Sequence, residues 1–394
     1  MPDRLATQGG SPVRPTMLPY GRQLVEEDDI EAVVAVLRSS MLTTGELVDE
    51  FERRLAEYVG AKYAVVLSNG TAALHASAAA SGLAPGDEAV VTPMTFVASA
   101  NCVAYCAGVP VFADVDPDSL LIDPAGIEQK ITPRTRAVIA VDYAGQPCDY
   151  QAITEVCHKY GLTLIEDACH ALGAEYQGKR VGSFADMTVF SFHPVKHITT
   201  AEGGAVATDD QDLADKIRRF RNHGISTDHR QRAANGSWGY EISVLGYNYR
   251  LTDIQCALGI SQLQKADRWL ARRRAIAGHY DKAFEEIDGI GPLKVAADVR
   301  HAYHLYVVQI DPVKIGMDRT KLFQSLRAEN IGINVHYIPV HLHQYYRDRF
   351  GTTPGLCPVA ESAYENLISL PMFPAMTDDD AADVISAIKK VIWG

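Results

Sequence analysis

The chemistry of this chain is most concentrated around Lys196, in the run Ser191-Phe-His-Pro-Val-Lys196. An apolar, β-branched stretch, residues 187–192, precedes the lysine; the pair Gly203-Gly204 and a second apolar stretch, residues 205–208, follow it. A lysine held between two buried strands is short of water, and desolvation disfavours the ammonium form. The neutral amine is a nucleophile able to form a Schiff base. The plain alternative is a solvated surface lysine, the commonest fate of the residue, and the apolar run that delivers Lys196 argues against it.

Two further groups suit the same chemistry. Ser68-Asn-Gly-Thr-Ala-Ala73 falls between a predicted strand and a predicted helix, where free amides, a hydroxyl and the helix dipole receive phosphate; an ordinary helix cap uses the same residue types. Asp167 ends an apolar strand. A carboxylate there can hold the protonated pyridine nitrogen of pyridoxal phosphate and make the ring an electron sink, or simply cap a turn. Their company favours the functional reading: a phosphate site upstream, His170 three residues on and Lys196 downstream. His193 and His197 fit structural roles equally well. Val335-His-Tyr-Ile-Pro-Val-His-Leu-His343 gathers histidines but matches no zinc spacing, so a substrate-facing loop is expected there and no metal. Cys102 and Cys106 lack completing ligands, and the seven cysteines read as buried free thiols.

These groups need elements to position them. Residues 1–16, rich in Gly, Pro and Thr without periodicity, read as a flexible leader. Helical spacing predicts helices over 26–37 and 46–59. From residue 62, apolar runs at 63–67, 88–92, 109–113, 137–141 and 163–165 alternate with helical stretches at 72–81, 98–106 and 151–160. Such alternation implies crossover connections and a mostly parallel sheet between helices, with ligands at the carboxyl ends of the strands. Ser68-Asn-Gly-Thr71, Thr92-Pro-Met-Thr-Phe96, Asp142-Tyr-Ala-Gly145, Glu166-Asp-Ala-Cys-His170 and residues 191–196 all stand at those ends. After a helix at 212–221 and a glycine- and aromatic-rich loop, 235–250, long helices are expected at 251–270 and 274–284. A smaller C-terminal domain follows, with strands at 303–310 and 333–335 and helices at 319–329 and 378–391. The divisions read as a leader 1–16, a large domain 17–265 and a small domain 266–394.

A net charge of −12 argues against nucleic acid or an anionic membrane as partner. No apolar run is long enough to span a bilayer and no signal-peptide plan opens the chain, so a cytoplasmic protein is expected.

The motifs Leu42-Thr-Thr-Gly45, Ser68-Asn-Gly-Thr-Ala-Ala-Leu74, Glu166-Asp-Ala-Cys-His-Ala-Leu-Gly173, Ser191-Phe-His-Pro-Val-Lys196 with Glu202-Gly-Gly204, and Gly246-Tyr-Asn-Tyr-Arg-Leu-Thr-Asp253 resemble the DegT/StrS-type nucleotide-sugar aminotransferases, from about Leu18 onward. The resemblance implies an α/β, fold-type I pyridoxal phosphate transferase: a large domain with a mostly parallel seven-stranded sheet between helices, plus a smaller C-terminal α/β domain. It implies that Lys196 forms the Schiff base with the cofactor and shuttles the proton, that Asp167 pairs with the pyridinium, that His170 lies near the phenolic oxygen and that Phe96 stacks on the ring. Gly70, Thr71, Ala72 and Ser191 would receive the phosphate, with Asn248 from the neighbouring subunit of a homodimer. Tyr20, the segment Ser40, Met41, Leu42, Thr43 and the segment His336, Tyr337, Ile338, Pro339 would face a sugar nucleotide. Some relatives carry histidine in place of the lysine and dehydrate; the lysine here implies amino transfer.

Within the family, residues 191–204 and 335–341 most resemble the 4-aminotransferases of pseudaminic acid biosynthesis. These act on a UDP-linked 2-acetamido-2,6-dideoxy-4-ketohexose with L-glutamate as amino donor. The alternatives are a 4-aminotransferase for another nucleotide-linked 4-keto sugar, of the bacillosamine or 4-amino-arabinose type, or a non-catalytic regulator on the same fold.

Overall fold

The computed structural model describes residues 4–227, 232 and 236–394; residues 1–3 of the leader and Asn235 of the glycine-rich loop lie outside the described residues. In chain order the large part comprises α1 (Glu27–Leu37), α2 (Glu46–Val59), β1 (Tyr63–Leu67), α3 (Gly70–Ala80), β2 (Glu88–Val91), α4 (Ala98–Tyr105), β3 (Val109–Phe112), α5 (Pro124–Gln129), β4 (Thr135–Val141), α6 (Tyr150–Tyr160), β5 (Thr163–Asp167), the short β6 (Glu175–Tyr176) and β7 (Lys179–Arg180), β8 (Met187–Ser191), β9 (Gly204–Thr208) and α7 (Gln211–Arg221).

Seven strands form one sheet in the order β1-β9-β8-β5-β4-β2-β3. Neighbours from β3 to β8 run parallel, and β9 runs antiparallel to both β8 and β1. The strands are apolar on both faces because helices cover both. Alternate side chains divide between two cores: Val65, Leu67, Met187, Val189 and Val206 enter one, while Ala64, Val66, Phe190, Ala205 and Ala207 enter the other. Since β1 and the parallel strands point the same way, the chain leaves β1, β2, β4, β5 and β8 at a single edge.

The smaller part holds the antiparallel sheet β10 (Ile290–Pro292), β12 (Tyr306–Ile310) and β13 (Leu367–Leu370), β11 (Val299–Arg300) pairing instead with β6. Ile276, Tyr280, Leu322, Leu326, Val384 and Ile388 close its core from three helices. Two expectations are corrected here. The helix expected over 251–270 is two, Asp253–Leu263 and Ala266–Phe284, broken at Lys265, whose Nζ donates to Asp28 (2.6 Å) and Asp29 (2.8 Å). Residues 333–335 form no strand; Asn334 makes a lone bridge to Ser369. We propose a division near residue 265, although helix Ala266–Phe284 feeds both cores, Trp269 and Leu270 on one side and Tyr280 and Phe284 on the other.

The described residues of the leader are held by bonds to the smaller part. Glu329, 1% exposed, accepts from the amides of Ala6 (2.8 Å) and Val13 (2.9 Å) and pairs with Lys390 (2.9 Å), while Arg14 pairs with Asp380 at 2.8 Å. Backbone bonds between Leu18 and residues 330–332 continue the strap toward Tyr20. Removing one member of a buried ionic cluster strands the others. Glu329→Ala is therefore expected to lower unfolding free energy by about 3–5 kcal/mol in urea titrations; a loss below about 1 kcal/mol would show that the clamp contributes little.

Candidate active site

Each strand exit delivers one part of the site. At the end of β1, Asn69 caps α3 by accepting the Ala72 amide at 2.8 Å. Of the three amides expected at a phosphate, Ala72's is thus already used, and those of Gly70 and Thr71 make no hydrogen bond among the described residues. Ser191, ending β8, closes the cradle from the side: a Cβ on Gly70 would stand 3.0 Å from Ser191 Cβ and 3.4 Å from Cys169 Sγ. One on Gly204 would collide with the Asn69 carbonyl at 2.6 Å, so that position needs glycine for close approach, while one on Gly70 would require its neighbours to give by a few tenths of an ångström.

Asp167 ends β5, buried. Its Oδ2 accepts from Ser99 Oγ (2.6 Å), itself bonded to Thr95 Oγ1 (2.7 Å), and its Oδ1 accepts the Cys169 amide (3.2 Å). No cation pairs with it among the described residues. Lys196 keeps part of its side chain exposed, while burial of the amine pushes its pKa down against the opposing pull of Cys169 and Asp167. Nζ lies 3.4 Å from His304 Nε2. His170 is buried, bonded through Nε2 to the Tyr337 hydroxyl (3.1 Å), and burial followed by the Lys196 charge lowers its pKa well below the ordinary histidine value, keeping it neutral. Phe96, after β2, is 55% exposed, a large aromatic face left open beside Tyr337 at 6.2 Å between ring centroids.

The structure brings Tyr20 and residues 336–339 to the same edge. Tyr20 packs 5.5 Å from the His336 ring; His336 Nδ1 meets Ser369 Oγ at 2.8 Å, and its carbonyl accepts from Tyr143 Oη. Ile338 is exposed, Pro339 is buried and the next amide, of Val340, donates to Pro93 O at 2.9 Å, tying this loop to the β2 exit. The structure does not bring Ser40, Met41, Leu42, Thr43 or Asn248 to Lys196 in the same chain. They are exposed on another surface, Leu42 O accepting from the Asp253 amide, Thr43 bridging Thr252 and Asn248 bridging Asn222. A cavity of about 1150 Å³ also lies there, lined by Thr43, Glu52, Arg218, Arg221 and Arg250 among others; Lys196, Asp167 and His170 are not part of it.

Sequence reasoning missed His304 and Ser99, and saw Tyr143 only as a motif member. Ser99 and Tyr143 follow strand exits that were recognised, which is a usable signal; His304 precedes β12 with none. Glu166 and Asp142 were seen only as motif members. Asp142 Oδ1 accepts from Tyr150 Oη (2.6 Å) and the Cys148 amide (3.0 Å), and Glu166 Oε2 accepts from Thr188 Oγ1 (2.6 Å). Among the described residues, Asp142 Oδ2 and Glu166 Oε1 find no donor outside the pair. Burial, then the Glu166 charge, raises Asp142 well above the carboxylate range, and burial raises Glu166, so the pair holds a proton. Folded values above unfolded ones give stability that is full below the ordinary carboxylate range and is lost as pH rises through the raised values. Urea titrations across neutral pH are expected to show this loss, about 1.4 kcal/mol per pH unit for one proton. Asp142→Asn, which mimics the protonated acid, should flatten the profile, and an unchanged slope would contradict the shared proton.

The donor set fits pyridoxal phosphate: a two-amide cradle with a hydroxyl, a buried carboxylate without a countercharge for a ring cation, and a desolvated amine. Among the described residues there is no cluster of metal-ligating side chains, and no helix is long and apolar enough to cross a membrane.

Comparison with known proteins agrees with this geometry. The profile of the DegT/DnrJ/EryC1/StrS aminotransferase family matches residues 23–389. The spore coat polysaccharide biosynthesis protein SpsC of Bacillus subtilis is 44% identical over 379 residues, 96% of this chain and 97% of that one. Among solved structures, Helicobacter pylori PseC, an aminotransferase involved in the biosynthesis of pseudaminic acid, superposes with a TM-score of 0.89 at 34% identity, covering 96% of this chain and all (100%) of that one. Spr1654 of Streptococcus pneumoniae in its PMP form gives 0.90 at 33% identity, covering 95% and 99%. The seven-stranded sheet, the edge where its strands end and these likenesses agree: the chain belongs to the DegT/DnrJ/EryC1/StrS aminotransferase family.

Proposed function

We propose that this sugar aminotransferase moves an amino group from L-glutamate to C4 of a UDP-2-acetamido-2,6-dideoxy-4-ketohexose of β-L-arabino configuration. The product is UDP-4-amino-4,6-dideoxy-N-acetyl-β-L-altrosamine, for pseudaminic acid biosynthesis. Pyridoxal 5′-phosphate, the cofactor of these enzymes, supplies when bound an electron-poor ring that stabilises charge on the substrate carbon. The Gly70 and Thr71 amides and the Ser191 hydroxyl would hold its phosphate, and Asp167 would hold the proton on its ring nitrogen. Phe96 would contact its ring, and neutral His170 would hydrogen-bond it. Lys196 Nζ provides the nucleophile and carries the proton between carbon atoms. Tyr20 and residues 336–339 orient the sugar.

A homodimer completes the site in this reading. Residues 40–43 and Asn248, exposed and pinned beside Thr252 and Asn222, face the site of the partner subunit. Free thiols at all seven cysteines suit the cytoplasm.

The observation that carries the chemistry is the meeting of Lys196, Asp167 and the Gly70–Ser191 cradle on one sheet edge. The choice of sugar is supported by the likeness to PseC. The higher identity of SpsC, 44%, favours a second reading, a 4-aminotransferase for a different nucleotide-linked 4-keto sugar. A panel of UDP-4-keto sugars, each incubated with enzyme and glutamate, separates the two. Turnover of the β-L-arabino ketohexose, with the L-altro C4 configuration in the product's NMR spectrum, is expected. Turnover confined to other keto sugars would select the second reading.

A further inference from the structure

Among the described residues, the Lys196 amine has one hydrogen-bond partner, His304 Nε2 at 3.4 Å. Three buried imidazoles surround it, but two are engaged elsewhere. His197 Nε2 meets the Ala302 carbonyl at 3.2 Å, and His170 Nε2 meets Tyr337 Oη. His304, 5% exposed, is packed between them, with ring centroids 4.3 Å from His170 and 5.8 Å from His197. Its backbone is fixed as well: the His304 carbonyl accepts from Arg273 Nη1 (3.3 Å) and the Leu305 amide donates to Ala144 O (3.1 Å).

The tautomer follows from where a proton can be satisfied. Nδ1 of His304 is buried and has no partner among the described residues. A proton there would be an orphaned buried donor, the costlier kind of unmet polar group. A proton on Nε2 instead points at Lys196 Nζ, which can accept it only as the neutral amine.

We propose that His304 is a positioning residue for Lys196: its Nε2–H donates to the lone pair of the neutral amine, orients it toward the sheet edge and opposes its protonation. Once Nζ takes up a proton, Nε2–H faces an ammonium with no lone pair, and the ammonium is driven to pass the proton on. Burial acts in the same sense on both partners, depressing Lys196 and holding His304 neutral. The other charged or titratable groups around this pair include Asp167 and Cys169, which favour the ammonium, and Arg273, which opposes it; His170 and His197 flank His304 as neutral rings, and buried His336, also lowered by burial and by the Lys196 charge, is a further neutral imidazole.

The inference rests on Lys196 being the reactive amine, and its test uses cofactor-free protein so that the two claims fail separately. Competitive acetylation with acetic anhydride across a pH series, read by mass spectrometry on the Lys196 peptide, gives the apparent pKa of that amine. His304→Leu, which keeps the packing and removes the donor, is expected to raise it by about one unit, a tenfold loss of neutral amine at neutral pH; His304→Gln, which restores an N–H, should recover most of the shift. No rise in the leucine variant, or identical leucine and glutamine variants, would overturn the proposal. In the unmutated protein, ¹⁵N NMR of labelled histidine, assigned by the signal lost in His304→Gln, is expected to show the Nε2–H tautomer, and an Nδ1–H signal would overturn it even if the leucine variant does not fold.

Discussion

Replacing Lys196 by alanine is expected to lower kcat for amino transfer by roughly 10,000-fold or more, combining the loss of a covalent nucleophile with that of a positioned acid–base group. The fold should survive the change. Lys196 follows the tightly packed β8 rather than forming part of it, and among the described residues its amine makes one hydrogen bond, of 3.4 Å. Removing a desolvated amine also removes an unfavourable burial. Unfolding midpoints within a few degrees of the parent, beside a near-complete loss of turnover with glutamate, would separate chemistry from stability. Residual turnover near the parent rate would mean that another group does the work.

The second large effect is expected at Asp167. Asparagine there has the same shape: its Oδ1 can still accept the Cys169 amide (3.2 Å in the parent) and its Nδ2 can donate to Ser99 Oγ in place of the hydrogen bond that the Asp167 carboxylate accepts at 2.6 Å, so both contacts can persist with one reversed. What it lacks is the negative charge, and in a buried site a charge aimed at a cationic nitrogen is worth far more than in water. Asp167→Asn is expected to reduce kcat by roughly 100- to 1,000-fold and to release the cofactor more readily on dialysis, with little change in urea stability of the cofactor-free protein. A variant that holds cofactor and turns over normally would show that the ring nitrogen does not depend on Asp167.

Much of this arrangement was legible in the residues. Tyr63–Leu67 and Glu46–Val59 were delimited correctly because each combines a clean apolar pattern with turn-forming neighbours. The strand exits were legible for a related reason: where a buried apolar run gives way to Ser, Thr, Asp or His, the chain has left the core. Features set by distant partners were not legible. Gln264 and Lys265 carry no turn signal, and the break there shows in the structure beside the carboxylates of Asp28 and Asp29 that Lys265 Nζ donates to. The leader has no pattern of its own because its order comes from Glu329 and Lys390, more than 300 residues away. His304 became a site residue only when the fold set it beside His170 and Lys196. The cap on Ala72 is subtler: the motif was recognised, but which of its amides remains free depends on the rotamer of Asn69.

The central claim is that Lys196 is the amine that holds pyridoxal phosphate, with Asp167 and the Gly70–Ser191 cradle around it. Reducing the cofactor-loaded protein with borohydride and mapping its peptides by mass spectrometry tests this directly. A phosphopyridoxyl mass on Lys196 alone is the expected result. The same mass on another lysine, or none retained by a protein that still turns over, would contradict it.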